Sequence, residues 1–425
     1  GRSRPLLRRA ALSAVNMTTR TGARFAAAVF LAFAGAYFLS ALLRAVTATL
    51  APAFSSELGL QAADLGLLAG AYFLGFSALQ LPLGAALDRF GPKRVLLALL
   101  GVAVVGCLAF ARADGLASLF ASRVLIGMGV SACLMAPLTC YRRLYSPAAQ
   151  LRANSWMLMT GSLGMLASTL PVQWMLPLWG WRGLFVLLGG LLIVASVLIA
   201  LIVPRDEATV TAASSSRDGG YRTVIGHPAF VRSAPLGFFV YGGMVAVQAL
   251  WAGPWLTRVA GRTADEAAQG LFLINACMLV AFMVWGMVMP RLASRGIGVE
   301  PLIRRGLPVS LAILGAIVLS PVPAGAVAWA AWCVGCTFVS LSQPAVAQAF
   351  AQHLAGRALS AFNLVIFAGV FSIQWGLGLL IDAARGFGLG DADAFRLAFG
   401  VFGIGCLLSY LWFVLPGRWR RAAAD

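Results

Sequence analysis

Arg44 and Arg123 stand inside long apolar runs of this chain. A central arginine in a membrane helix costs about 3 kcal/mol on insertion scales, so such residues mark function or a specific partner. A guanidinium presents a planar fork of donors that pairs with carboxylate or phosphate, so the chemistry on offer is anion recognition. Tyr37, Ser40, Arg44 and Thr47 recur at intervals of 3, 4 and 3 residues. That spacing puts them on one helical stripe about 80° wide, expected to face a polar cavity. A second reading of Arg44 stays open: it lies eight residues before Pro52, and its stem can carry the charge out to the headgroups. Arg123 begins the pattern Arg123-x-x-x-Gly127 and also has two readings, a substrate contact or a brace on helix carbonyls.

Later in the chain Tyr241, Gln248 and Trp255 repeat every seven residues, with Trp251 close by. These are the pocket candidates of the second half. Gln343, Asn363 and Gln374 can add hydrogen bonds, although buried amides also join helices to each other in membranes. No acidic residue falls near the middle of an apolar run: Asp64, Asp265, Glu266 and Asp382 lie at one set of ends and Asp88 at the other. A cavity with arginines and no central carboxylate has a positive potential, which suits an anionic or carboxylate-bearing solute. Coupling then runs by exchange, or through protons at Asp64, Glu266 or Asp382. Cys333-x-x-Cys336 has no histidine or second cysteine pair near it, so no metal site is expected. With no nucleophile beside a base and no phosphate loop, neither an enzyme nor a cofactor is expected. His227 and His353 are read as solvated.

The elements that must position these groups are membrane helices. The chain is 60% hydrophobic and 11% charged, with mean hydropathy +0.88, whereas a soluble domain carries about 25% charge. Apolar runs long enough to cross a bilayer, about 20 residues each, recur twelve times: 25–51, 62–84, 95–112, 117–140, 153–177, 183–203, 232–256, 266–289, 303–321, 324–349, 359–382 and 394–416. The net charge of +18 sits in short loops rather than on one aromatic-studded face, which argues against nucleic acid. If the N-terminus is cytoplasmic, that side holds 24 basic residues against five on the other, Arg112, Arg182, Arg258, Arg262 and Arg385. The positive-inside rule therefore places both termini in the cytoplasm. Only Lys93 among the basic residues is lysine, and Ala, Gly and Leu abound, a composition resembling that of high-GC bacteria, so a bacterial inner membrane is expected. Trp179 and Trp181 are read as interfacial anchors. Residues 1–16 are basic without a cleavable signal pattern, and Met17 is an alternative start.

The expected organisation is a basic N-terminal segment (1–24), a six-helix bundle (25–203), a polar linker (204–231), a second bundle (232–416) and a short tail (417–425). The halves repeat at an offset of 202 residues: Pro52 matches Pro254, Asp64 Glu266, Gly84 Gly286, and Arg89 Arg291. Four anchors in one register indicate a duplicated six-helix unit. Gly161, Gly164 and Ser168 form a gate or packing seam in the fifth run.

After the second run comes Gly84-Ala85-Ala86-Leu87-Asp88-Arg89-Phe90-Gly91-Pro92-Lys93-Arg94, a GxxxDRxGxKR pattern. It resembles the loop between spans two and three of the major facilitator superfamily, and Arg123-x-x-x-Gly127 is similar to a second signature of that family. The resemblance implies an all-α fold of twelve transmembrane helices in two pseudo-symmetric six-helix bundles. It also implies a central site and alternating access by rocking of the halves, as in the organic-anion and nitrate uptake branches. Gly84, Asp88, Arg89, Gly91, Lys93 and Arg94 would form a conformational latch, with Gly84 allowing close helix approach and Asp88 meeting the start of span eleven near Ser360. Pro290 replaces the matching carboxylate in the second half, so one latch is expected. The implied partners are a small anionic solute, protons and lipid, with the chain a monomer. A proton-driven exporter, an amino-acid or peptide carrier and a non-transporting receptor are the competing readings. Asp88→Asn is expected to slow solute flux more than it weakens solute binding; flux and binding assays in vesicles that fall together would remove the latch.

Overall fold

The computed structural model describes residues 4–145, 147–204 and 221–415. Side chains are described from Arg24 on, those of Asp88 and of residues 142–144, 147, 148, 151, 290, 293, 344, 352 and 353 excepted. Within these residues the chain is a set of helices. They are α1 (Arg4–Leu58), α2 (Ala62–Ala78 continued by Gln80–Phe90), α3 (Pro92–Ala111) and α4 (Leu116–Val130 continued by Met135–Leu144). The expected linker lies outside the described residues from 205 to 220. Beyond it a short helix, Tyr221–Gly226, precedes the second half, which begins at Pro228 rather than at residue 232.

Spans five and six meet end to end. The helical stretch Leu170–Ile202 has 33 residues, about 50 Å at 1.5 Å per residue and too long for a core about 30 Å thick. It is divided at Gly180, whose φ of 63° and ψ of 171° leave the helix. That left-handed φ is accessible to glycine at little cost, and the chain reverses there. We therefore define α5 as Pro147–Ala167 with residues 170–179, and α6 as residues 181–202. Pro171 sits just after the break inside α5, where its ring cannot continue the ladder. The Ser168 carbonyl at the break accepts a hydrogen bond from Thr49 of α1 at 2.8 Å.

The second half contains α7 (Pro228–Val259), α8 (Ala264–Ser294), α9 (Val299–Leu319), α10 (Ala326–Ser340 continued by Ser342–Gln348), α11 (Gln352–Gly386) and α12 (Asp391–Val414). Eleven helical stretches among the described residues are long and apolar enough to span a membrane, and the division at Gly180 supplies the twelfth. Their outward faces carry aliphatic side chains such as Leu201 and Leu319, 78% and 83% exposed, as lipid contact requires.

Each packing pair of the first bundle has a counterpart in the second. In the first, α1 packs on α5 and α6, α2 on α4, and α3 on α4 and α6. In the second, α7 packs on α11 and α12, α8 on α10, and α9 on α10 and α12. The capping chemistry repeats in the same register. Asp64 Oδ2 accepts the Gln61 N–H at 3.0 Å, and Glu266 Oε2 accepts the Thr263 N–H at 2.9 Å. A carboxylate three residues into a helix satisfies an orphan amide and favours the positive end of the dipole.

We call the end where α1 enters from residue 24 the basic face and the other the distal face. Aromatic side chains fill the distal part of both bundles. In the first, Phe54, Phe110, Trp181 and Phe185 pack with centroids 4.0–5.7 Å apart. Trp181 is 3% exposed and donates to Glu57, so it is a core residue and not the interfacial anchor expected, while Trp179 is exposed. The Gly161–Gly164 seam closes within the first bundle: a Cβ at Gly161 would meet the Tyr37 ring, and one at Gly164 the Phe38 carbonyl oxygen.

The halves join most closely along α2 and α11. A side chain at Gly66 would collide with the Gln374 carbonyl, and one at Gly378 with the Ala62 carbonyl. Between α1 and α7, Gly253 packs on the Ala48 carbonyl. Gly66→Val is therefore expected to force the distal face open. A cysteine introduced at Thr257 would then react faster with a membrane-impermeant maleimide added on that side; an unchanged labelling rate would argue against the seam as the closure element.

Candidate functional site

Arg44 occupies the middle of α1 where the two halves meet. The hydroxyls of Tyr72, Tyr37 and Tyr241 lie within electrostatic reach of its guanidinium, and its Cζ stands 5.7 Å from the Phe76 ring centroid. Three of these partners belong to the first bundle and Tyr241 to the second. Phe367 of α11 closes the ring, with its centroid 5.0 Å from Phe76 and 6.0 Å from Phe73. Arg44 remains partly exposed although helices surround it, and its buried Nε has no hydrogen-bond partner. A cation flanked by aromatic faces and phenol hydroxyls, with an unused donor, is equipped to take a carboxylate attached to an apolar or aromatic body.

Arg123 has a different environment. It is 1% exposed, donates to the Leu43 carbonyl at 3.0 Å and to Thr47 Oγ1, and lies with Cζ 5.5 Å from the Tyr72 centroid. It braces α1 against α4 on both sides of Arg44 through its two terminal nitrogens, while its buried Nε, like that of Arg44, has no hydrogen-bond partner. Tyr72 donates to the Ser40 carbonyl at 3.1 Å, so it links the two arginines.

The expected α1 stripe therefore divides. At about 100° per residue, Tyr37 and Arg44 fall within about 20° of each other, and Ser40 and Thr47 lie about 60° round the helix. The first pair meets the interface. Thr47 turns to Arg123, and Ser40 Oγ faces the Cys133 thiol. The seven-residue repeat of α7 divides too. Segments Gly237–Tyr241, Val247–Trp251 and Trp255–Val259 are π-helical, and their wider turns shift the phase on which the shared face was reckoned. Tyr241 lies within electrostatic range of Arg44, but Gln248 donates to Asn275 Oδ1 of α8 at 2.8 Å. Trp251 is fully buried and donates to the Gln374 carbonyl at 3.1 Å, and Trp255 donates to the Ala324 carbonyl at 2.9 Å. Gln343 donates to Asn363 and ties α10 to α11. Gln374 is fully buried with both amide atoms unpartnered. Sequence reasoning misses Tyr72, Phe76 and Phe367, because single aromatic residues in apolar runs carry no signal apart from ordinary packing.

Of the expected latch, the Asp88 side chain lies outside the described residues, as does that of His353. Gly84 does not mediate a close approach, since no described atom comes within 4 Å of a Cβ built there. Gly91 turns the chain with φ 82° between α2 and α3. Lys93 donates to the Ala200 and Val203 carbonyls at 2.8 and 2.6 Å, capping α6. Arg89 lies over Phe90 at 5.1 Å, and Arg94 is exposed. His227 caps α7, its Nδ1 accepting the Ala229 N–H at 3.2 Å. Among the outer carboxylates, Asp64 and Glu266 serve their own helices. Asp382 reaches across the halves: its two oxygens accept the Ala62 and Ala63 amides of α2 at 3.2 and 2.6 Å. Arg385 joins it to Asp391, and Arg258 approaches the same Asp391. Gln173 of α5 donates to Asp265 of α8 at 3.0 Å, a second distal tie.

Two helical bundles of this kind, related by an internal repeat and enclosing a cationic group at their interface, make up a multi-pass membrane protein of solute-carrier architecture. Residues 33–373 match the sequence profile of the Major Facilitator Superfamily, and the chain belongs to that superfamily. It is 31% identical over 171 residues to "4-hydroxybenzoate transporter PcaK" of Pseudomonas aeruginosa, an alignment covering 40% of this chain and 38% of the relative. It is 29% identical over 137 residues to "Probable L-galactonate transporter" of Escherichia coli, covering 31% and 29%. The chain thus aligns with less than two fifths of these curated relatives. Over the whole fold it is similar to a bacterial homolog of the human lysosomal transporter Spinster, with TM-score 0.74, 17% identity and coverage of 92% and 96%. It is also similar to the D-xylose-proton symporter, with TM-score 0.73, 15% identity and coverage of 93% and 99%.

Asp382→Ala removes the inter-half cap on α2, and it is expected to raise distal-side reactivity of a cysteine placed at Ser56 while leaving the helix content unchanged. Equal reactivity in wild type and variant would mean that Asp382 caps α2 without holding the halves together.

Proposed function

We propose that the protein is a secondary active transporter of a small carboxylate, with an aromatic monocarboxylate the best fit, working by alternating access. The observation that carries this reading is Arg44, partly solvent-accessible at the junction of the halves, its Nε unpartnered, ringed by Tyr37, Tyr72, Tyr241 and Phe76. The guanidinium would hold the carboxylate and the aromatic side chains the ring. The relatives named above are called transporters of 4-hydroxybenzoate and of L-galactonate, both carboxylates, which supports the anionic class. Arg123 acts in this scheme as a positioning residue, holding the turn of α1 that presents Arg44. Gln374, with an unused buried amide, is a further candidate contact. Trp251, Gln248, Gln343 and Asn363 act through helix packing.

The orientation proposed is with the basic face, and so both termini, in the cytoplasm of a bacterial inner membrane, and with a monomer as the working unit. The distal face would then be periplasmic and closed in this conformation. Proton coupling would run through Asp382, because protonating the carboxylate that bridges the halves weakens its hold on the α2 amides. Exchange would leave it charged throughout.

Thermal unfolding of the purified protein against benzoate, hydroxybenzoates, an aldonate, an amino acid and uncharged analogues tests the substrate class, since ligands that bind the folded state raise its melting point. Aromatic acids are expected to stabilise wild type, and Arg44→Ala to lose at least about 2 kcal/mol of binding, roughly thirtyfold in Kd, with partial retention in Arg44→Lys. Uptake in vesicles that is unchanged in both variants would remove Arg44 from the site. Stabilisation by cations alone would favour an exporter, and binding without flux a receptor.

A further inference from the structure

At the basic face, the end of α2 and the start of α3 diverge to leave a lateral cleft of about 390 Å³, lined by Pro82, Leu83, Ala86, Phe90, Ala98 and Arg94 among others. The sequence explains the opening. The helix is interrupted at Leu79 and restarts at Gln80, Ala86 and Ala98 are small, and Gly91 turns the chain at the closed end. The walls are apolar, and Phe90, 51% exposed, with Pro82 and Ala98, also exposed, opens them outward from the bundle. Arg94 is the charged residue of the lining. Arg89 lies over the Phe90 ring that forms one lip. Lys93, between them in sequence, points instead to the α6 carbonyls.

An occupant of this cleft has to be apolar along most of its length and anionic at the end that meets the basic face. A free anion cannot fill the apolar part, and the two exposed arginines at the basic end favour an anionic headgroup over a neutral one. We propose that the cleft binds one anionic phospholipid from the leaflet on the basic face. Its phosphate would rest on Arg94 and Arg89, with an acyl chain lying along Pro82, Ala86 and Ala98. Basic pockets between membrane helices select anionic headgroups by this combination of charge and lateral access. At the 202-residue offset Arg94 corresponds to Gly296, so this arginine has no matched counterpart in the second half. Its walls flank the α2–α3 turn, so an occupied cleft braces that turn against movement.

The test uses the full chain in phosphatidylcholine nanodiscs with or without phosphatidylglycerol, together with native mass spectrometry of lipid carried from detergent. Wild type is expected to retain one phosphatidylglycerol and to melt several degrees higher when it is present. Arg94→Gln should lose this increment by removing the charge, and Ala98→Trp should lose it by filling the apolar part. Arg94→Lys should keep part of it, and Arg295→Gln, on the same face away from the cleft, should keep all of it. An undiminished increment in both Arg94→Gln and Ala98→Trp would overturn the site and leave diffuse attraction to basic loops. Full stabilisation by soluble glycerol phosphate would also overturn it, since the acyl chain would then be irrelevant.

Discussion

A guanidinium in a low-dielectric interior is costly unless its donors are met, and the way this chain meets some of them and leaves others open organises its centre. Arg123 is held by the Leu43 carbonyl and Thr47 through its two terminal nitrogens and lies by the Tyr72 ring, with its Nε unpartnered. Those contacts lie on both sides of Arg44 in α1 and clamp that turn of helix to α4. Arg44 is thereby held facing the second half instead of snorkelling to a headgroup layer. Arg123 is buried and engaged by helix groups, whereas Arg44 is left partly exposed.

The second constraint is backbone proximity. Where α2 meets α11, glycines at 66 and 378 let carbonyl oxygens approach backbones that any side chain would hold apart. Close packing of this kind replaces the hydrophobic driving force that is missing between helices in lipid. Asp382 adds an electrostatic component, placing a carboxylate from one half at the positive end of a helix in the other. Packing, capping and the Gln173–Asp265 pair all lie toward the distal face. The ring contacts of Phe73 and Phe76 with Phe367 extend the junction to the level of Arg44. In the proposed transport cycle these distal contacts above a partly exposed cation would belong to one end state, and they would have to part for the halves to rock.

The internal repeat explains why the two halves contribute differently to the centre. The Asp64 and Glu266 caps coincide at the 202-residue offset and serve the same local purpose. At that offset Arg44 corresponds to Ala246 and Arg123 to Gly325, so neither cation has a counterpart. The charged centre is thus supplied by the first bundle alone, and the second contributes Tyr241, Phe367 and the walls.

Much of this was legible in the residues. Apolar runs and the offset anchors indicated the number of helices and the duplication, because the bilayer forces a length and polarity pattern that survives without tertiary information, and the resemblance to the superfamily came from the Gly84–Arg94 motif. Arg44 was legible for the same reason, its cost in hydrocarbon. What only the tertiary structure decided is which neighbours each polar group meets. Thr47 and Ser40 share a stripe with Arg44 yet turn to α4; π-helical turns in α7 separate Tyr241 from Gln248 and Trp255; Gly84 stands in open space while Gly66 carries a seam. Helical periodicity gives the direction of a side chain about its own axis, and the partner on that side is set by how the helices cross.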